Sequence, residues 1–224
     1  MVPMNLLRQG QSADYVITGS WSKKAMKEAK LFGNVSVAAS AEDASFTYIP
    51  SKLKLDPKAV YVHITSNNTI AGTQFAGFPD TGSVPLIADM SSDILSKKVD
   101  VSKFGLIYAG AQKNLGPSGV TLVIIRDDLV EKCREDIPTM AQYKIHVEND
   151  SLYNTPPTYS IYIMKLVLEH FKEMGGLAAI EQANIAKAKL LYEAIDTSSL
   201  YHNPVEPSCR SRMNVPFTLK KDGL

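Results

Sequence analysis

Tyr108-Ala109-Gly110-Ala111-Gln112-Lys113-Asn114-Leu115-Gly116-Pro117-Ser118-Gly119 joins two apolar runs, Phe104-Gly105-Leu106-Ile107-Tyr108-Ala109 and Val120-Thr121-Leu122-Val123-Ile124-Ile125. Both runs have strand length, and the segment between them is rich in Gly, Ser and Pro, so the whole reads as strand, loop, strand between two buried strands. Lys113 sits in that loop. It is either an ordinary loop cation or a partly desolvated amine whose pKa falls, as a carbonyl-binding, Schiff-base lysine requires.

Strand-like and helix-like runs alternate upstream of this loop. Asp14–Thr18, Val35–Ala38, Ala59–Thr65 and Val84–Asp89 read as strands, and Ser20–Phe32 reads as a helix ended by Gly33, with Ser20 or Ser22 as N-cap. Beyond residue 155 the pattern turns helical. Tyr159–Met174 carries apolar residues at helical spacing, Gly175-Gly176 closes it, and Leu177–Ile195 follows as a second helix rich in alanine and lysine. This alternation predicts an α/β fold with a mostly parallel or mixed sheet flanked by helices. Near residue 203, Asn203-Pro204-Val205-Glu206-Pro207 reads as a linker, and Arg212–Leu219 reads as a strand that either opens another domain or joins the main body.

The bulk properties exclude several classes. The chain has 224 residues, 45% of them hydrophobic, enough for one large domain or somewhat more. A net charge of +1 with both signs dispersed recommends neither a nucleic-acid nor a membrane-surface partner. Cys133 and Cys209 are far apart and form no metal-type spacing or disulfide framework, which predicts a reducing, cytoplasmic setting. His63, His146, His170 and His202 lack ligand spacing, so no metal is assigned. Gly116-Pro117-Ser118-Gly119 is followed by no Lys-Ser/Thr pair and is not a nucleotide-binding P-loop.

Asp89 ends an apolar strand in Ile87-Ala88-Asp89-Met90-Ser91-Ser92. It reads as a carboxylate facing a heteroaromatic nitrogen, or as an N-cap or loop acceptor. The order strand, Asp89, then strand, loop, Lys113 is that of pyridoxal phosphate enzymes, in which the acid keeps the pyridine nitrogen protonated and the lysine holds the aldehyde. Trp21, the one tryptophan, can stack on a ring or fill core. Thr69 follows the strand at 59–65 and marks either a site residue or a plain turn. Tyr153-Asn154-Thr155-Pro156-Pro157-Thr158 offers uncharged hydrogen bonds to a phosphate, or serves as a helix-entry loop.

Taken together, Gly19-Ser20-Trp21-Ser22, Asn67-Asn68-Thr69-Ile70, Asp89-Met90-Ser91-Ser92, Ala109-Gly110-Ala111-Gln112-Lys113-Asn114 and Ser151-Leu152-Tyr153-Asn154-Thr155-Pro156-Pro157 resemble the phosphoserine aminotransferases, class V enzymes of fold-type I. The resemblance covers nearly the whole chain. It implies a pyridoxal 5'-phosphate-binding large domain over residues 1–200 and the start of a small C-terminal α/β domain over 201–224. It implies that Lys113 forms the Schiff base and moves the substrate proton, and that Asp89 pairs with the pyridine nitrogen. Trp21 would stack on the ring, Thr69 would bond near its phenolic oxygen, and Gln112 would help hold the phosphate. Asn154 and Thr155 would reach that phosphate from a neighbouring subunit, which implies a homodimer with shared sites. The reaction implied moves the amino group of glutamate to 3-phosphohydroxypyruvate, giving 3-phosphoserine and 2-oxoglutarate in serine biosynthesis.

The family also carries an upstream Gly-rich loop for the phosphate, an early His-Arg pair, and a later substrate-binding arginine, none of which these residues match. The expectation is therefore a fragment lacking both ends, with weak or no aminotransferase activity alone. Two other readings stand beside it: another class V enzyme such as a cysteine desulfurase or lyase, which would need a mobile cysteine at the site, and a truncated non-catalytic paralogue that dimerises with a full-length partner.

Overall fold

The computed structural model describes residues 1–220. In chain order the regular elements are α1 (Val2–Leu6), β1 (Ser12–Ile17), α2 (Ser20–Ala29), β2 (Asn34–Ser40), β3 (Val62–Thr65), β4 (Asn67–Asn68), β5 (Thr73–Gln74), β6 (Leu86–Asp89), β7 (Leu106–Gly110) and β8 (Thr121–Ile125). They continue with α3 (Asp127–Glu131), α4 (Tyr143–Glu148), α5 (Thr158–Glu173), α6 (Gly176–Thr197), β9 (Tyr201–His202) and β10 (Thr218–Leu219). Six strands form one sheet in the order β2-β1-β3-β6-β7-β8. All its pairings are parallel except β7 with β8, so the sheet is parallel-dominated, as the alternating pattern predicts.

The central strands are mostly apolar because both faces are covered, with Asp14, His63 and Thr65 as buried polar exceptions. Val16, Val62, Ile64, Leu86, Ala88 and Ile107 pack on one face. Ala13, Tyr15, Ile17, Tyr61, Ile87 and Leu106 pack on the other, under α1 and α2. Ile64, Ile87 and Leu106 are fully buried, each contributing about 1.5–3 kcal/mol relative to exposure.

Four expectations shift at their edges. The helix opening near Ser20 is not capped by Ser20. Gly19 is the N-cap, and the Ser22 hydroxyl reaches back to accept from the N–H groups of Thr18 and Gly19 at 2.9 and 3.0 Å. The helix proper ends at Ala29 rather than Phe32. The strand expected from Ala59 enters the ladder only at Val62. The run Val120–Ile125 is an edge strand whose residues are half-buried or exposed, because β7 covers only one side of it.

The segment expected as a strand over 212–219 is regular only at Thr218–Leu219, which pairs antiparallel with Tyr201–His202. Residues 210–216 instead lie against the β4–β5 loop. The Ser211 N–H donates to the Gly72 carbonyl at 2.8 Å, and the Arg212 N–H donates to Gln74 Oε1 at 3.1 Å. Of the expected small-domain segment 201–224, residues 221–224 lie outside the described residues.

Candidate active site

In an open parallel sheet the carboxyl ends of the strands are where chain crossings leave a crevice. Four elements meet there. β1 leads through Gly19 into Trp21, β3 ends at Thr65, β6 ends at Asp89, and β7 runs into the loop of Lys113. Their side chains line a small cavity of about 190 Å³ bounded by Trp21, Thr65, Asn67, Thr69, Asp89, Ser91, Ser92, Gln112 and Lys113.

The loop that carries Lys113 is folded tightly. Leu115 and Gly116 both donate backbone N–H bonds to the Ala111 carbonyl, and Ala111 donates to Val120. Gly119 completes the return at φ +112°, a conformation that favours glycine. Lys113 Nζ then donates to Thr69 Oγ1 at 2.9 Å and stands 5.5 Å from the centroid of the Trp21 ring. The side chain is exposed, so the partial desolvation expected from its loop setting is not found. Trp21 is 43% exposed, which removes the reading in which it fills core.

Asp89 faces the cavity from the end of β6. Its Oδ1 accepts the Ser91 N–H at 2.9 Å. Its register partner on β7 is Tyr108, whose side chain stands beside the Asp89 carboxylate on the same face of the sheet. Burial and that carboxylate push the Tyr108 phenol up. Behind it lies His63, 1% exposed, with Nε2 3.0 Å from the Tyr108 oxygen. Burial drives the His63 pKa down to about 4 against the opposing pull of Asp89.

Asn67, a further lining residue, spends its amide on three partners. Nδ2 donates to Ser92 Oγ and to Asn214 Oδ1, both at 2.8 Å, and Oδ1 accepts from the Ser211 hydroxyl. Beneath the wall, Asp93 is buried and accepts from Ser66 and Gln74, and burial raises its pKa.

Five of the seven residues singled out in the sequence therefore share this cavity: Trp21, Thr69, Asp89, Gln112 and Lys113. Asn154 and Thr155 do not. They are exposed in the loop before α5, where Asn154 Nδ2 bonds the Thr155 carbonyl at 3.2 Å. Thr65, Asn67, Ser91, Ser92, His63 and Tyr108 were given no individual role by sequence reasoning. The alternation Tyr61, His63, Thr65 on one strand face was the available signal for His63.

Neither cysteine lines the cavity. Cys133 is buried, with burial pushing its thiol up to about 11, and Cys209 Sγ accepts the Ile49 N–H at 3.4 Å. Neither of these two thiols is placed as the mobile nucleophile that a desulfurase needs. Among the described residues no cluster of His, Cys, Asp or Glu could hold a metal ion, and no helix is long and apolar enough to cross a membrane.

Comparison with known proteins gives concordant results. The aminotransferase class-V family matches residues 1–222. A phosphoserine aminotransferase of Desulfosudis oleivorans is 57% identical over 226 residues, spanning 100% of this chain and 63% of that protein. A solved phosphoserine aminotransferase from Bacillus circulans subsp. alkalophilus superposes with a TM-score of 0.96 at 54% identity, covering 98% of this chain and 62% of that one. A pyridoxal phosphate-bound phosphoserine aminotransferase from Trichomonas vaginalis superposes with a TM-score of 0.92 at 40% identity, covering 97% and 66% respectively. The chain thus spans about 63% of the length of the curated relatives it matches.

Proposed function

Because the chain belongs to the class-V aminotransferase family, we propose that it carries the cofactor-binding core of a phosphoserine aminotransferase. The reaction is transfer of an amino group from glutamate to 3-phosphohydroxypyruvate, giving 3-phosphoserine and 2-oxoglutarate. The observation that carries this reading is the convergence of Lys113, Asp89, Thr69 and the exposed face of Trp21 on one cavity.

The donor set fits pyridoxal 5'-phosphate. It offers an amine for an aldehyde, a carboxylate for a ring N–H, a hydroxyl beside the amine, and a flat indole face. When bound, that cofactor supplies an aldehyde and a conjugated ring that accepts the electron pair left when a substrate Cα–H bond breaks. The protein's own residues do the rest. Lys113 Nζ, steered by its hydrogen bond to Thr69, takes the proton from the substrate Cα and returns it. Asp89 keeps the ring nitrogen protonated, its carboxylate held by the Ser91 N–H. Trp21 closes one face of the cavity, limits water and restricts tilt of a flat ligand. Gln112, with Ser91 and Ser92, supplies uncharged polar groups around the phosphate end.

A homodimer with shared sites belongs to the same proposal. Its support is that Asn154 and Thr155 are exposed and outside the cavity, next to a helix, α5, that carries no buried residue and exposes Tyr159, Tyr162 and Leu166. In the dimer the partner copy covers that helix, and the Asn154–Thr155 loop reaches the partner's phosphate. A cytoplasmic location is proposed with it, from two unbridged cysteines.

Borohydride reduction of the protein mixed with pyridoxal phosphate, followed by peptide mapping, tests the core claim. The expected result is a single reduced adduct on Lys113, abolished in Lys113→Ala. Labelling spread over surface lysines, or retained in Lys113→Ala, refutes it.

A further inference from the structure

We propose that Tyr108, held from behind by a neutral His63 with its one proton on Nε2, is a positioning residue that aims the Asp89 carboxylate into the cavity. The part concerning Asp89 rests on the reading of that residue as the acid facing the cofactor's ring nitrogen. The part concerning His63 stands without it.

The argument is a count of hydrogens. Asp89 and Tyr108 are register partners on adjacent parallel strands, so their side chains stand beside one another on one face of the sheet, and burial and the carboxylate together push the Tyr108 phenol up. An ionised carboxylate only accepts, and a phenol has one hydrogen to give. In the proposed arrangement that hydrogen goes to Asp89, the unpartnered Nδ1 stays bare, and the phenol oxygen is left as an acceptor. His63 Nε2 lies 3.0 Å from that oxygen, so Nε2 must be the donor. The other ring nitrogen, Nδ1, is buried and has no partner. A second proton there would place an unpaired N–H and a charge in an apolar wall, which burial opposes.

The surroundings lock this arrangement. The Tyr15 ring stacks on the imidazole at 4.8 Å and 19°, and the Tyr15 hydroxyl is engaged by Tyr61 at 2.9 Å. The imidazole thus has one hydrogen-bond partner and a fixed plane. Every donor in the row His63, Tyr108 points toward Asp89. In that arrangement the Ser91 N–H on Oδ1 and the Tyr108 hydroxyl grip the carboxylate from two directions. A carboxylate so held keeps one orientation toward a ring nitrogen.

The first measurement is made on the cofactor-free protein. Histidine-selective 15N–1H correlation, with the His63 signals assigned by their loss in His63→Gln, is expected to show a protonated Nε2 and a bare Nδ1 at pH 7. An Nδ1–H ring, or an imidazolium, overturns the proposal. The second measurement is pyridoxal phosphate affinity. Tyr108→Phe is expected to weaken it about tenfold, the loss of a hydrogen bond to a charged group. His63→Leu is expected to follow Tyr108→Phe, while His63→Gln, whose amide can still donate to the phenol oxygen, retains wild-type affinity. In an Asp89→Ala background Tyr108→Phe is expected to cost nothing more. If it costs the same tenfold there, Tyr108 acts on general packing and the positioning role fails. If Asp89→Ala itself leaves affinity unchanged, the assignment of Asp89 under the proposed function fails instead, while the tautomer result stands or falls by the spectrum.

Discussion

Gly19→Ala should damage both stability and the site, and the structure sets the size of the effect. Gly19 has extended backbone, so alanine meets no torsional objection. The obstacle is space. A Cβ at position 19 would lie 2.7 Å from Asn68 Oδ1, about 0.7 Å short of ordinary contact. Asn68 is buried, and its amide is pinned by donating to Thr18 Oγ1 and Thr73 Oγ1, both at 3.0 Å. A shift of 0.7 Å would take either bond beyond the range of a useful hydrogen bond. Overpacking costs about 1–3 kcal/mol and each lost neutral bond about 1 kcal/mol, so the substitution should cost roughly 2–4 kcal/mol. The assay is urea denaturation of wild type, Gly19→Ala, Asn68→Ala and the double variant. Removing the Asn68 side chain clears the obstruction, so Gly19→Ala should be nearly free in that background. A cost below about 0.5 kcal/mol in wild type, or an equal cost in both backgrounds, would refute the steric account. Because Gly19 is the N-cap of α2, the helix that carries Trp21, the intact-background variant should also hold pyridoxal phosphate less tightly.

Two further outcomes follow from buried groups. His63 titrates lower in the folded chain, near 4, than its ordinary 6.5. The unfolded chain therefore binds the extra proton first, and stability should fall as pH drops from 6.5 toward 4. His63→Gln should flatten that limb by up to about 3 kcal/mol at the acid end, read as the difference between the two urea midpoints across pH. An identical acid limb in both proteins would remove His63 as the cause. The two thiols should separate under iodoacetamide at pH 8. Cys209, half-buried, should alkylate well before Cys133, whose thiol is buried and shifted up to about 11. Peptide mass spectrometry showing Cys133 modified first would contradict that ordering.

Much of this was legible in the chain because the central strands are buried on both faces and read as plain apolar runs between turn residues. Asp89 and Lys113 were found for the same reason, since each stands where such a run stops. What was not legible depends on contacts distant in sequence. The exposure of Lys113 depends on which neighbours cover its loop, and no local pattern encodes that. The Ser22 hydroxyl caps its own helix from inside because Gly19 brings two free N–H groups within reach, a geometry that a preference for serine at the first position does not anticipate. His63 had no ligand spacing and passed as one polar residue in a strand, whereas its role arises from Tyr15 on the adjacent strand β1 and from Tyr108 on β7, two strands away. The irregular path of 210–216 is set by Asn67, Gly72 and Gln74, far away in the chain.

That last contact has a mechanical meaning. Asn67 is a wall of the cavity and also the anchor of Ser211 and Asn214. The Gly72 backbone packs so closely on Pro216 that a Cβ there would come within 2.3 Å of its ring, so the two segments have no slack between them. A pull on residues 211–216 reaches the cavity wall through the Asn67 amide, beside the Ser211–Gly72 and Arg212–Gln74 bonds to the same hairpin, and a ligand that pushes Asn67 outward moves the same segment. Cavity width and the seating of that segment are one coordinate rather than two.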